Sequence, residues 1–197
     1  MPTLALVVIA LNEERGLPLA LASARPYVDE VVVGLDRRTR DRTREAAEGA
    51  RIIDLDFTSF SQMRNDAMRH ATADWILMLD ADETIEGDPR PLLKRGPAIW
   101  EFPRRHWRDF ARSIAAPEEA LWPDRQGRLF PNSPLVRFER PVHEICKGLR
   151  RRRTTDVVLH HFKHALRSPG LIAERRALYD RLMEVGRALG YRYREGD

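Results

Sequence analysis

An apolar run that ends in acids constrains this 197-residue chain more than any other stretch. Residues Trp75 to Leu79 are apolar, and Asp80, Asp82 and Glu83 follow at once. The run has the length of a buried strand. Asp80 and Asp82 lie two apart, so on an extended backbone their side chains point the same way. Two such carboxylates repel each other unless a cation lies between them, and oxygen ligands of this kind suit Mg2+ or Mn2+. The alternative is a solvated acidic turn that closes a core strand.

Length and composition favour one globular domain. The chain is 43% hydrophobic and 32% charged, and its length allows a sizeable core. Its single cysteine, Cys146, excludes an internal disulfide and a cysteine-rich zinc site. The run from Leu4 to Leu11 lacks a basic leader, so we interpret it as a strand and not a signal peptide. No apolar run reaches the ~18 residues of a membrane span, and we therefore predict a cytoplasmic protein.

Strand and helix patterns alternate through the first half of the chain. Four apolar runs predict strands, and three intervening segments have helical character, in the order Leu4–Ala10, Leu17–Ala24, Val31–Leu35, Glu45–Ala47, Arg51–Leu55, Phe60–Ala71 and Trp75–Leu79. This alternation predicts a mostly parallel central sheet flanked by helices. Ligands of such sheets bind at the carboxyl ends of the strands, where the three acids fall.

The pattern changes after Glu83, where proline and arginine become dense. Short apolar runs between residues 98 and 162 predict a small, partly antiparallel region. A terminal helix begins at Ser168, a good N-cap, with Pro169 at its first position. We therefore divide one domain, residues 1–197, into a first half at 1–88, a second half at 89–167 and a C-terminal helix at 168–197.

These residues together carry a resemblance to a known family. Asn12-Glu13, Asp36-x-x-Thr39-x-Asp41-x-Thr43, Arg64-Asn65 and Asp80-Ala81-Asp82-Glu83 look like the motifs of family 2 glycosyltransferases. Three later pieces, residues 122–130, Val142-His143-Glu144 and Leu159-His160, resemble the bacterial branch that includes lipopolysaccharide inner-core β-glucosyltransferases.

The resemblance implies a fold, a reaction and a cofactor. It implies the nucleotide-diphospho-sugar transferase fold of GT-A type, with a small antiparallel part on the acceptor side. Residues 1–88 would then be the nucleotide-binding half and residues 89–167 the acceptor half. The implied reaction moves a hexose, with inversion, from a nucleoside diphosphate sugar to a hydroxyl acceptor. The donor would be a UDP-sugar, and the acceptor a lipopolysaccharide-like, lipid-linked or other cell-surface glycan. Mg2+ or Mn2+ would assist departure of the nucleoside diphosphate.

Five residues are expected to bind the donor, and two to bind the metal. The donor-binding candidates are Asn12, Glu13, Asp36, Arg64 and Asp80, and the metal candidates are Asp82 and His160. Asp36 would accept hydrogen bonds from uracil or ribose, whereas in the alternative it caps a turn. Asn12 and Glu13 would otherwise cap the following helix, and Arg64 would lie on a solvated helix face. His160 would otherwise be an ordinary core or surface histidine.

The acceptor hydroxyl must lose a proton as it attacks, and a carboxylate can accept it. Glu144, which follows a histidine in a predicted short strand, is our first candidate for this base. Asp124, beside the potential sugar-stacking Trp122, is the second.

Three other functions fit parts of the pattern less well. Asp80-x-Asp82-x-Thr84 also matches the nucleophile motif of haloacid-dehalogenase phosphatases, but that motif normally lies on the first strand. A sugar-nucleotide pyrophosphorylase would need a glycine-rich basic loop after the first strand, where Asn12-Glu13-Glu14 stands. Basic residues are interspersed with acids, so we predict no nucleic-acid partner.

A basic segment suggests one further contact. Residues 147–153 contain five positive charges, and the net charge of the chain is +4. We expect this segment to lie near the acceptor side and to attract an anionic acceptor or anionic lipids at the inner membrane face. The alternative is a solvated loop.

Overall fold

A computed structural model describes residues 1–193, so the last four residues of the predicted C-terminal segment lie outside the described part. Eleven strands are described within it: β1 Leu4–Ala10, β2 Glu30–Asp36, β3 Arg51–Leu55, β4 Trp75–Asp80, β5 Glu83–Glu86, β6 Ile99–His106, β7 Asp124–Pro131, β8 Arg137–Glu139, β9 Ile145–Lys147, β10 Arg152–Thr154 and β11 Val158–His161. The α-helices of this part are α1 Leu17–Ala24, α2 Thr43–Ala46, α3 Phe60–Met68, α4 Arg90–Leu93, α5 Lys163–Leu166 and α6 Pro169–Ala188.

One large sheet organises the chain. Across residues 1–193 it has nine strands, in the order β3-β2-β1-β4-β7-β6-β11-β5, and β10 pairs with β6. The first four strands are parallel, and β7 is antiparallel to both β4 and β6. Strands β4 and β6 therefore point the same way, and their carboxyl ends lie at one edge of the sheet. The predicted parallel sheet with an antiparallel part is confirmed.

The first half folds as its apolar pattern predicts. Strand β1 is buried along almost its whole length, because helices cover both faces of the sheet. A Cβ on Gly34 would lie 2.9 Å from the Cβ of Ala67, so glycine allows α3 to approach β2 closely. A Cβ on Gly16 would lie 2.6 Å from the carbonyl oxygen of Ala81. Glycine there lets the start of α1 pack against the turn that carries the acids.

The second half departs from the prediction at two places. Strand β6 continues through the polar residues Arg104 and Arg105 to His106, although these residues have no apolar strand pattern. Glu144 was expected in a strand, but it lies in the loop between β8 and β9. In a strand, the alternation of side chains would set the direction of the Glu144 side chain. In the loop, this side chain instead points towards Arg64, which donates a hydrogen bond to it.

The basic segment does not lie at the acid edge. Arg152 pairs with Ile99 at the start of β6, whereas His106 ends that strand. Seven strand residues separate these positions by about 23 Å. The basic segment follows Glu144 closely in sequence but not in space, because the chain crosses the sheet between Glu144 and β10.

Helix α6 begins where the sequence indicates. The hydroxyl oxygen of Ser168 accepts a hydrogen bond from the amide of Leu171. Among its apolar side chains, Leu171 and Val185 are half-exposed, while Leu182 is buried. Among residues 1–193, no helix combines the length and the apolar character needed to span a membrane.

Candidate active site

Buried acids and arginines converge at the carboxyl edge of the sheet. The acids include Glu13, Asp80, Asp82 and Glu83, and the basic side chains that contact them are Arg64, Arg104, Arg128, Arg167, Arg175 and His161. Burial removes charges from water at a cost, so each needs a compensating partner. We call this set the acid–arginine cluster.

Asp80 lies at the centre of the acid–arginine cluster. Arg64 and Arg128 both contact its carboxylate, Arg128 at 2.5 Å. Although burial alone would raise the pKa of Asp80, the charges of Arg128 and Arg64 hold it well below its usual range. Arg64 also donates to Glu144 at 2.6 Å. The structure therefore brings together three predicted site residues, and the solvated-face alternative for Arg64 is wrong because its side chain is buried.

Asp82 lies beside a different arginine, from the segment before α6. Arg167 contacts both Asp82 and Glu13, and Arg175 of α6 contacts Glu13 at 2.8 Å. Burial alone would raise the pKa of Asp82, but the charge of Arg167 holds it well below its usual range. Burial and the charge of Asp82 raise the pKa of Glu13, despite its two arginines. The C-terminal segment thus contributes two cations to this edge of the sheet.

Asp124 has more partners than Glu144. Arg104 donates to it at 2.8 Å, Gln126 at 2.7 Å, and His106 lies 2.9 Å away. Burial would raise the pKa of Asp124, but the hydrogen bond with His106 and the charge of Arg104 hold it well below its usual range. A carboxylate with so many donors is a weak proton acceptor. Trp122 stacks against Arg105, with the guanidinium carbon 3.9 Å from the ring centre.

Asp36 lies apart from the acid–arginine cluster, at the end of β2. It is fully buried, and Arg38 donates to it from both backbone and side chain. A cavity of about 360 Å³ adjoins Asp36 and Thr39. The buried hydroxyl oxygen of Thr39 has no hydrogen-bond partner in the described part of the chain. The cavity therefore offers both a carboxylate and an unsatisfied hydroxyl.

Asn12 and Glu13 connect the loop after β1 to the loop after β2. The side-chain oxygen of Asn12 accepts from the amide of Arg40 at 2.8 Å, and Asn12 has a positive φ of 54°. The amide of Glu13 donates to the hydroxyl of Thr43 at 2.7 Å. These contacts shape the rim of the site.

The structure places His160 away from Asp82. Its Nδ1 accepts from the indole of Trp107 at 2.9 Å, and its Nε2 lies 3.1 Å from Glu86. Burial lowers the pKa of His160. The neighbouring His161 instead reaches Asp82, with 3.3 Å between its Nε2 and the carboxylate. Successive side chains of a strand face opposite ways, and the sequence alone could not tell which of the two histidines faces the acids.

Sequence reasoning missed several members of the acid–arginine cluster. Arg104, Arg128, Arg167, Arg175 and His161 were assigned no role, and neither was His106, which lies beside Asp124. The period-two alternation around Leu159 could have drawn attention to His161. Nothing local identifies Arg167, because it reaches Glu13 across 154 positions of sequence.

Asp82 offers the carboxylate oxygen that suits Mg2+ or Mn2+, and His161 adds an imidazole nitrogen, which suits Mg2+ less well. Arg167 already contacts Asp82 and Glu13, so a metal ion at Asp82 would compete with this guanidinium for the carboxylate. No group of three or more potential metal ligands occurs within residues 1–193. Asp82 and His161 would therefore hold a metal ion only together with ligands from outside this part of the chain.

Comparison with known proteins gives one family match. Residues 5–94 match the family described as glycosyl transferase family 2. A TPR repeat-containing protein of Synechococcus elongatus is 35% identical over 161 residues, which cover 74% of this chain and 36% of that protein. The chain thus spans about a third of the length of this curated relative.

Two solved structures align with much of this chain. Staphylococcus aureus TarS 1–349 aligns with a TM-score of 0.52 and 12% identity, over 82% of this chain and 60% of that one. Glucosyl-3-phosphoglycerate synthase from Mycobacterium tuberculosis, in complex with Mg2+ and UDP, aligns with a TM-score of 0.48 and 19% identity, over 68% and 58%. The TarS likeness shows that the chain has a GT-A-like α/β fold.

Proposed function

We propose that this chain is an inverting glycosyltransferase of family 2 that moves a hexose from a UDP-sugar to a hydroxyl acceptor. The observation that carries the proposal is the acid–arginine cluster, which lies at the carboxyl edge of a GT-A-like sheet within and beside the family match. The haloacid-dehalogenase alternative finds no support. The acids follow the fourth strand rather than the first, and the residues around them match a glycosyltransferase family.

The cavity beside Asp36 suits the nucleoside. The carboxylate of Asp36 can accept a hydrogen bond from a uracil N–H or a ribose hydroxyl once the side chain of Arg38 moves away from it. The hydroxyl of Thr39 lacks a hydrogen-bond partner within residues 1–193. Asn12 lies at the rim of this site and Glu13 lies at the acids, so both remain donor-side candidates. Asp80, in the acid–arginine cluster, is the candidate residue to bind the ribose of the donor.

In this proposal the diphosphate lies between the cavity beside Asp36 and the acid–arginine cluster. Arg64 and Arg167 already carry positive charge at the acids, and such charges stabilise a departing diphosphate. Asp82 and His161 are the residues that would hold Mg2+ or Mn2+, and His161 replaces His160 in this role because it faces Asp82. When bound, the metal supplies Lewis-acid stabilisation to the leaving group.

Glu144 is the proposed base. Its side chain lies at the acids and has one charged partner, Arg64, whereas Asp124 is held by three donors. The acceptor is proposed to be a lipid-linked or cell-surface glycan such as lipopolysaccharide. A cytoplasmic location with peripheral contact to anionic lipids, through Arg150 and Arg151, is the accompanying proposal.

A thermal-shift experiment tests the donor proposal. The melting temperature is measured with Mn2+ alone, UDP alone and UDP with Mn2+, against adenosine diphosphate as a matched nucleotide. Ligands that bind only the folded state raise the melting temperature, so we expect the largest rise with UDP and Mn2+ together. No rise with any UDP mixture, or an equal rise with adenosine diphosphate, would contradict a UDP-sugar donor.

A further inference from the structure

Four side chains from separate parts of the fold form one continuous hydrogen-bonded chain. The Nε2 of His106 lies 2.9 Å from the carboxylate of Asp124. The two Nδ1 atoms of His106 and His161 lie 3.0 Å apart. The Nε2 of His161 lies 3.3 Å from the carboxylate of Asp82. We call this series the histidine relay, and it links Asp124 to the proposed metal position.

The strands fix the geometry of the histidine relay. His106 ends β6 and His161 ends β11, and the two residues are register partners in this parallel pair. Their rings meet edge to face, with 5.0 Å between centroids and an interplanar angle of 78°. His106 is 3% exposed, so water is largely excluded and the ring nitrogens must satisfy one another.

The proton positions follow from Asp124. Arg104 donates to Asp124 through Nε at 2.8 Å, which keeps this carboxylate ionised and able only to accept. The Nε2 of His106 must therefore carry the proton that Asp124 accepts, and in a neutral ring Nδ1 then carries a lone pair. Since that Nδ1 can only accept, the Nδ1 of His161 must donate. The Nε2 of His161, 3.3 Å from Asp82, is then the ring nitrogen available to bind a cation.

An imidazole that binds a cation through Nε2 carries its proton on Nδ1, and the Nδ1 of His106 lies 3.0 Å from the Nδ1 of His161. We propose that Asp124 and His106 are positioning residues that hold His161 in the Nδ1–H tautomer, so that its Nε2 and Asp82 bind one divalent cation together. The inference rests on the proposed metal-dependent function. It assigns Asp124 the role of a carboxylate that orients metal-ligating histidines through hydrogen bonds, rather than that of a base.

Two substitutions of His106 separate this role from simple packing. His106→Leu removes the acceptor for the Nδ1–H of His161. His106→Gln keeps an acceptor oxygen for His161 and a donor for Asp124. His160→Leu is the matched control, because His160 is as buried as His106 and precedes His161 on β11, but its ring contacts Trp107 and Glu86. Melting temperatures measured without metal show whether each variant is folded.

The readout is the affinity for Mn2+, measured by calorimetry with UDP present. We expect His106→Leu to weaken Mn2+ binding by about 10–100-fold, as loss of such partners does. We expect His106→Gln and His160→Leu to remain close to the unchanged protein. Unchanged affinity in folded His106→Leu overturns the inference and leaves the proposed function standing. Absence of Mn2+ binding by the unchanged protein contradicts both.

The tautomers can also be observed directly. Long-range ¹⁵N–¹H spectra of histidine-labelled protein with Mg2+ and UDP should show His106 protonated at Nε2 and His161 at Nδ1. An Nδ1–H signal from His106 would reverse the histidine relay and overturn the inference, whatever the metal affinity.

Discussion

Replacing Glu144 by Gln tests the catalytic proposal most directly. The change keeps the shape of the side chain but removes its ability to accept a proton. Loss of a general base lowers turnover by roughly 10²–10⁴, which corresponds to about 3–5 kcal/mol in the activation barrier. We expect a loss of this size, with donor affinity close to that of the unchanged protein.

The effect on stability should be much smaller. Arg64 loses one charged partner at 2.6 Å but keeps Asp80. Converting one charge-assisted hydrogen bond into a neutral one removes about 1 kcal/mol. For a domain of this size such a loss lowers the melting temperature by about 2–4 °C. The functional loss therefore exceeds the structural one and can be measured separately.

The assay follows release of UDP from UDP-glucose with saturating Mn2+ and water as acceptor, together with calorimetric donor affinity. Asp124→Asn is the matched control. It disturbs the hydrogen bonds from Arg104, Gln126 and His106, so we expect it to act mainly on stability and metal affinity. If Asp124→Asn lost turnover while its melting temperature and metal affinity were retained, and Glu144→Gln stayed active, Asp124 would be the base and our reasoning would be refuted.

Three further predictions concern the metal, acid stability and the basic segment. Asp82→Asn should remove most Mn2+-dependent affinity for UDP, because an amide is a weaker ligand than a carboxylate; unchanged calorimetric affinity with Mn2+ would show that Asp82 does not bind the metal. Burial alone would raise the pKa of Glu118, but its hydrogen bond from Lys163 lowers the pKa to about 2. Its contribution to stability is therefore present above about pH 4.5 and is lost as the pH falls towards 2, so Glu118→Gln should lower the urea midpoint at pH 6 but not at pH 2. Arg150 and Arg151 are exposed, and replacing both with serine should reduce co-sedimentation with anionic vesicles at low salt; no sedimentation of the unchanged protein at any salt would end the membrane proposal.

The candidate site was predictable where its residues follow strands directly. Asp36, Asp80 and Asp82 come at the ends of apolar runs, and such runs reveal both a buried strand and its carboxyl end. The prediction weakened where the chain leaves regular structure. The orientation of Glu144 depends on a loop and on Arg64, 80 positions away. No local pattern encodes a contact of that kind.

The sequence by itself determined the alternation of strands and helices, the parallel sheet and the edge at which the acids gather. Local apolar periodicity is sufficient for this, because burial on one or both faces leaves a direct pattern in the chain. Only the tertiary structure decided that arginines compensate those acids, that His161 rather than His160 faces Asp82, and that residues 150–153 lie at the opposite edge. Each of these depends on strand register and on which distant segments meet, since buried charges are paired in space rather than in sequence.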